Sequence, residues 1–259
     1  MYENLKKFIP SPVKKVLKDA YGKVEQKYKM GEKNVTIEGI NAKFNIKNQK
    51  DIYRLNTDFE GQYAKEIVKS FKKIGESGTV VNIGAAQGFY VVFSGLSKNK
   101  VIAIEPDPET FVALNNNLDL NNLNSNVECL NYAIGDKDGK EVLFTSGAGG
   151  PAPKINEPNG YEQSIEVPVF RLDTVLKQNP DIAIIDVEGY EGKVINGMGD
   201  LRPKEIFIEL HPKDLKKMGT SEDDLLNQLF NYGYELKKQY TRGNEFHYHL
   251  VFNEKFIEN

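Results

Sequence analysis

Cysteine is nearly absent from this chain, with a single residue, Cys129, among 259. One thiol cannot close an internal disulfide, so the fold must be held by packing and polar contacts. Its neighbours Val127 and Leu130 place it in a strand, where burial is expected. Long apolar runs are missing as well. Nothing approaches the ~18 residues of a membrane span, and no apolar N-terminal h-region is present, so a cytoplasmic protein is expected. Positive charge is not in excess either. The net charge of -3 gives no overall field for nucleic acid, and no nucleic-acid partner is expected. No internal repeat is present.

What remains is the composition of a globular α/β chain, 39% hydrophobic and 27% charged, long enough to bury a sizeable core. Its charge is unevenly placed. The first 33 residues hold nine lysines against four acids, leaving the rest at about -8. After Pro10 and Pro12, the residues Val13, Val16, Leu17, Ala20, Val24 and Tyr28 recur at helical spacing. A basic amphipathic helix results, packed on the core or in weak contact with an anionic membrane surface. Residues 1–57 therefore read as this helix and small leading strands, including Ala42 to Ile46. Residues 58–259 read as the main α/β domain.

Within that domain, Val80-Val81-Asn82-Ile83-Gly84-Ala85-Ala86-Gln87-Gly88 reads as a strand running into a small-residue turn. Val101 to Ile104 then ends in Glu105 and Pro106. A small-residue turn lets a nucleoside ligand approach the backbone, and an acid ending the next strand can accept hydrogen bonds from a ribose diol. A pyrophosphate-bearing dinucleotide calls for G-x-G-x-x-G. Here the order is Asn82-x-Gly84-x-Ala86-x-Gly88, which resembles the turn of methyltransferases that use S-adenosylmethionine. The cofactor expected is S-adenosyl-L-methionine.

The rest of the pattern alternates. Tyr63, Ile67, Phe71 and Ile74 mark a helix, strands follow near 79–83, 100–104, 126–131, 181–185 and 204–210, and helices lie near 87–96 and 108–121. Leu225, Leu226, Leu229 and Phe230 form a helix face, and Tyr234 to Gln239 and Phe246 to Phe252 read as strands. Their joint at Arg242-Gly243-Asn244 is too short for a parallel crossover, so the last strand must run antiparallel. The expected fold is a Rossmann-like class I methyltransferase fold, a mostly parallel seven-stranded sheet with one antiparallel C-terminal strand and helices on both faces.

Val81 to Ala85, Ile104 to Pro108, Asn131 to Asp136, Leu172 to Leu176, Ile185-Asp186-Val187-Glu188-Gly189-Tyr190-Glu191 and Ile208-Glu209-Leu210-His211 stand in a distinctive order. That series resembles FkbM-family methyltransferases from about Glu60 to Phe252. The resemblance implies methyl transfer from S-adenosylmethionine to a hydroxyl oxygen, often on a sugar or polyketide. Asn82 and Ile184 stand where family members commonly carry aspartate and lysine. Two other classes are weighed beside it: an NAD(P)-dependent oxidoreductase, which lacks its glycine fingerprint here, and a silent cofactor-binding interaction module.

Ligands of open α/β sheets bind beyond the C-terminal strand ends. Asn82, Gly84, Ala85, Ala86, Gly88, Glu105, Pro106, Asn131, Ala133 and Asp186 are accordingly the expected cofactor-binding residues, with Asn131 at the adenine edge. Asp186, Glu188, Glu209 and His211 are the expected catalytic group. If the strands stay extended, the i, i+2 spacing puts each pair on one side. Asp186 or His211 would serve as base, and Glu188 and Glu209 would orient a small-molecule or glycan acceptor. No dedicated metal-ligand spacing occurs, so no metal is expected, although the same carboxylates are of the kind that hold Mg²⁺ or Mn²⁺. The stretch Ser146 to Pro153 lacks a P-loop ending and reads as a linker or substrate lid. Asn115 to Asn117, Asn121 and Asn122 are assigned to turn or cap duty, and Asp173 to an N-cap.

Overall fold

A computed structural model describes residues 31–46, 61–146, 152–156, 160–242 and 245–258. The basic N-terminal helix, its membrane contact and the boundary at residue 57 lie outside the described residues. So do 147–151 and 157–159, which hold most of the lid-or-linker stretch, and Gly243 and Asn244 of the last joint.

The described chain opens with a hairpin of β1 (Gly31–Ile37) and β2 (Ile40–Ile46). Its two-residue turn holds Glu38 at φ 48° and Gly39 at φ 80°, the left-handed pair that matches strand twist. The helix α1 (Gln62–Ile74) follows, then β3 (Thr79–Ile83), α2 (Phe89–Leu96), β4 (Lys100–Ile104), α3 (Pro108–Leu120) and β5 (Val127–Leu130). Next come β6 (Ala133–Ile134), β7 (Gly139–Thr145), β8 (Lys154–Ile155), β9 (Gln163–Phe170) and the single turn α4 (Leu172–Val175). The C-terminal half holds β10 (Ile182–Ile185), α5 (Glu191–Gly197), β11 (Glu205–Leu210), α6 (Pro212–Lys217), α7 (Glu222–Asn231), β12 (Tyr234–Arg242) and β13 (Glu245–Phe252).

Seven strands form one sheet in the order β12-β13-β11-β10-β3-β4-β5. All pairings from β11 to β5 are parallel, and β13 runs antiparallel between β11 and β12. This is the Rossmann-like class I methyltransferase arrangement expected from the alternating pattern. Along β10, Ile182 and Ile184 pack into one apolar layer, with Ile67 and Phe71 of α1, Phe93 of α2 and Leu114 of α3. Ala183 and Ile185 point into the other, with Val194 and Ile195 of α5 and Leu225 and Leu229 of α7. Burial on both faces explains why these strands read as unbroken apolar runs.

A second, four-stranded sheet in the order β6-β9-β7-β8 was not among the expected elements. Its strands β7 and β9 carry the burial pattern of a half-exposed antiparallel pair, broken by Pro168 and several charges. Other local readings are corrected. Asp173 does not cap a helix, because its carboxylate is held by Arg171 at 2.9 and 2.6 Å. Asn117 and Asn121 do more than end α3. Asn117 accepts from the Asn45 amide and Asn121 from the Lys43 amide, each at 2.9 Å, fixing β2 against the helix. Phe44 of β2 also stacks on Phe89, with centroids 5.4 Å apart. Cys129 is only partly buried, packed against the first apolar layer from β5, the edge strand of the sheet. No helix among the described residues is long and apolar enough to cross a membrane.

One buried polar pair ties β13 to β11. His249, fully buried, donates from Nε2 to Glu205 Oε2 at 2.7 Å, and Ser70 of α1 donates to the same oxygen at 2.8 Å. Burial alone would raise the Glu205 pKa, but these two hydrogen bonds outweigh it and bring the carboxyl from 4.5 down to about 2. A depressed carboxyl contributes stability above its unfolded pKa and loses it as pH falls through the folded one. Thermal melts should therefore show up to about 3 kcal/mol of stability lost between pH 4.5 and 2 through this group. In Glu205→Gln that part of the acid loss should vanish; an unchanged acid profile would contradict the assignment.

Candidate active site

The strand order reverses beside β3: β4 and β5 continue to one side, β10 and β11 to the other. A crevice opens there beyond the C-terminal strand ends, where open α/β sheets take ligands. The turn after β3 is built for close approach. Gly84 has φ 79°, and a Cβ there would sit 1.8 Å from the Asp186 carbonyl oxygen. Gly88, at φ 85°, begins α2, and a Cβ there would meet Leu114 at 2.4 Å. Ala86, where the related turn carries its middle glycine, is also left-handed at φ 47°. That conformation costs an L-residue roughly 1–2 kcal/mol.

Glu105 ends β4 on the far side of that turn. Its Oε2 accepts from the Ala86 amide and its Oε1 from the Asp107 amide, both at 2.9 Å. Burial raises its pKa from 4.5 to about 7, against the lowering effect of those two amides. Each oxygen keeps a lone pair for a second donor. Pro106 follows directly. Asn131 is exposed, and its amide nitrogen donates to the carbonyls of Glu105 at 2.8 Å and Pro106 at 3.2 Å, bracing the β4 end. Asn82, Ala85 and Ala133 are buried around the same strand ends. A glycine cradle beside an acceptor-bearing acid fits a nucleoside cofactor without a pyrophosphate.

The four residues expected to be catalytic gather on the β10 and β11 side. His211 caps α6 and is 8% exposed. Its Nε2 stands 3.6 Å from Glu188 Oε2, 3.7 Å from Glu209 Oε1 and 4.0 Å from Asp186 Oδ1. All four expected residues are thus brought to one place, but not by strand extension as the spacing suggested. β10 stops at Ile185, and Glu188 at φ 54° with Gly189 at φ 104° turns the chain back so that both carboxylates face the ring. The Asp186 side chain is 43% exposed, yet Oδ1 is buried and without a partner among the described residues. Enclosure and the charge of Glu209 push its pKa well above the ordinary carboxylate range, with His211 opposing.

Glu191 was not among the expected site residues. It is fully buried, and its Oε1 accepts from His211 Nδ1 at 2.9 Å and from the Gly189 amide at 3.0 Å. Burial works against the charged ring, but this bond and the charges of Asp186, Glu191 and Glu188 outweigh it, lifting the His211 pKa to about 10. Three further groups were missed. His247 donates to Glu209 Oε2 at 2.8 Å, Tyr63 packs on His247 with centroids 4.6 Å apart, and Lys154 of β8 pairs with Asp214 and lies 3.9 Å from Glu188. Only Glu191 carried a signal, as the last acid of the Asp-Val-Glu-Gly-Tyr-Glu piece.

Residues 82–236 match the Methyltransferase FkbM domain, a span that takes in the β3 turn, Glu105, Asp186, Glu188, Glu191, Glu209 and His211. The chain belongs to the FkbM methyltransferase family. It is a methyltransferase that uses S-adenosylmethionine. A hexuronic acid methyltransferase, AglP of Haloferax volcanii, is 25% identical over 206 residues, covering 74% of this chain and 81% of that protein. Two solved structures are similar in fold. The rRNA methylase of Streptococcus thermophilus has TM-score 0.49 and 12% identity, over 75% of this chain and 98% of that one. Precorrin-6y C5,15-methyltransferase of Geobacter metallireducens has TM-score 0.45 and 15% identity, over 74% and 88%.

Removing the Glu191 carboxylate leaves a protonated ring and the Gly189 amide without their buried acceptor. Glu191→Ala should therefore cost about 3–5 kcal/mol of stability, the scale of a broken buried pair. Chemical denaturation checks it; a loss under ~1 kcal/mol would mean that the ring and turn are held by other contacts.

Proposed function

We propose that this methyltransferase transfers the methyl group to a hydroxyl oxygen of a sugar or glycan, with the acceptor held at the rim of Asp186, Glu188, Glu209 and His211. The convergence of those four side chains beside the cofactor turn carries the reading. The similarity to a hexuronic acid methyltransferase supports a sugar as acceptor class. Glu105 takes the ribose hydroxyls, with the β3 turn from Asn82 to Gly88 beneath the methionyl portion and Asn131 and Ala133 at the adenine side.

S-Adenosylmethionine supplies a methyl carbon on a sulfonium: the acceptor oxygen bonds to that carbon as the carbon–sulfur bond breaks, and S-adenosylhomocysteine leaves. The protein's task is alignment, because the displacement must be in line. Across β3, the strand spacing sets Glu105 and Asp186 about 10 Å apart, so the two halves of the crevice can serve one extended ligand pair. An alcohol is a poor nucleophile until its proton can leave. In the unliganded site His211 already carries a proton at neutral pH, so Asp186 receives the acceptor's proton and the imidazolium steadies the resulting cluster. Glu188 and Glu209 accept hydrogen bonds from neighbouring sugar hydroxyls.

Two outcomes follow. With isotopically labelled S-adenosylmethionine and hexuronic-acid sugars, Asp186→Asn and His211→Ala should each lose ~10²- to 10⁴-fold in turnover, while S-adenosylhomocysteine affinity stays within a few fold. Full turnover in both variants would remove the base assignment. Separately, ribose capture needs Glu105 ionised, so S-adenosylhomocysteine affinity should fall about tenfold from pH 8 to pH 6, across the pKa near 7. Calorimetry reads it, and Glu105→Gln should flatten the profile; a pH-independent wild type would place the ribose elsewhere.

A further inference from the structure

Three donor atoms at the acceptor rim are spaced in a way their own contacts do not explain. His211 Nε2 lies 3.6 Å from Glu188 Oε2 and 4.0 Å from Asp186 Oδ1, and the three lie within 4.8 Å of one another. These separations are too long for hydrogen bonds. Around an ion bound at 2.0–2.2 Å, neighbouring donors stand about 3.0 Å apart in octahedral and about 3.4 Å in tetrahedral geometry. The two sides that meet at His211, 3.6 and 4.0 Å, are wider than the tetrahedral spacing by about 0.2 and 0.6 Å, so the donors would draw in on binding.

Two observations beyond the spacing point into the same gap. Asp186 Oδ1 is buried and has no hydrogen-bond partner among the described residues. The His211 ring, more than nine-tenths buried, is fixed at Nδ1 by Glu191, which leaves Nε2 aimed at the carboxylates. An imidazole oriented by a buried carboxylate through its other nitrogen is the arrangement that metal-binding histidines use. Charge balance argues the same way. Asp186, Glu188, Glu191 and Glu209 surround one ring, and Lys154, 3.9 Å from Glu188, is shared with Asp214. A second triple, Glu209, His211 and Glu245, uses the same ring, but one oxygen of Glu209 is committed to His247.

We infer that Asp186, Glu188 and His211 form a site for a divalent cation of the Mn²⁺ class, with Glu209 as the adjoining carboxylate. Two or three carboxylates with one imidazole are the donor set that suits Mn²⁺ among divalent ions. This departs from the expectation of no metal drawn from sequence spacing. It rests on the acceptor-site reading and refines it: the ion would replace the ring proton and acidify the acceptor hydroxyl, with Asp186 Oδ1 as ligand and Asp186 Oδ2 taking the hydroxyl's proton.

The test titrates Mn²⁺ alone into the full chain, following the free-ion signal by electron paramagnetic resonance, with S-adenosylhomocysteine calorimetry on the same preparations. One saturable Mn²⁺ site is expected. Glu188→Gln should weaken it at least tenfold while melting temperature and S-adenosylhomocysteine affinity stay unchanged. A chain that binds S-adenosylhomocysteine but takes up no Mn²⁺, or uptake unaltered in Glu188→Gln, overturns the cation site and leaves the methyltransferase reading standing. Mn²⁺ uptake that survives while labelled transfer to every sugar fails counts against the acceptor reading alone.

Discussion

A carboxylate with no exposure to water, Glu191, is the constraint on which the site depends. Burying that charge alone would cost several kcal/mol, so the surrounding chain is arranged to compensate it. The compensation fixes the geometry of the rim. His211 must present Nδ1 to Glu191, and therefore turns Nε2 outward to Asp186, Glu188 and Glu209. The Gly189 amide must point at the same carboxylate, and therefore the chain reverses directly after β10 and carries Glu188 into the cluster. One buried acid thus orders both halves of the proposed acceptor rim.

The same chemistry recurs at the edge of the sheet. The chain has three histidines, and each pairs with a buried glutamate: His211 with Glu191, His247 with Glu209 and His249 with Glu205. Glu205 and Glu209 lie on one side of β11, and His247 and His249 answer them from β13. The antiparallel strand that distinguishes this sheet is therefore tied to the catalytic edge by charge-assisted bonds as well as by its backbone ladder. Through Glu209, the packing of β13 and the geometry around His211 are linked, and Tyr63 of α1 closes the chain from above.

Much of the fold was legible because the strands of the main sheet are buried on both faces and announce themselves as short β-branched runs. The antiparallel finish followed from the shortness of the Arg242-Gly243-Asn244 joint, a matter of chain geometry. The four-stranded second sheet was hidden because β7 and β9 alternate weakly and carry Lys140, Glu141, Glu166 and Pro168 among their apolar residues. At the site, residue types at strand ends were enough to name Asp186, Glu188, Glu209 and His211. Their meeting depends on a left-handed turn at Glu188, which a non-glycine residue does not advertise. Tyr63, Lys154 and His247 reach the rim from α1, β8 and β13, and sequence separation conceals contacts of that range. Asn121 does stand at the C-cap of α3 and Asn122 in a left-handed turn, but Asn117 and Asn121 also hold β2, a contact across the chain that local preference does not reveal.

In the proposed function the glycine turn with Glu105 and the acid rim with His211 are two sides of one crevice. A crystal structure of the chain with S-adenosylhomocysteine tests this most directly. The account predicts the ribose hydroxyls on the Glu105 carboxylate and the sulfur turned toward Asp186 and His211, with open space between for an acceptor oxygen. A cofactor whose sulfur faces away from that rim, or a ribose that leaves Glu105 untouched, would contradict it.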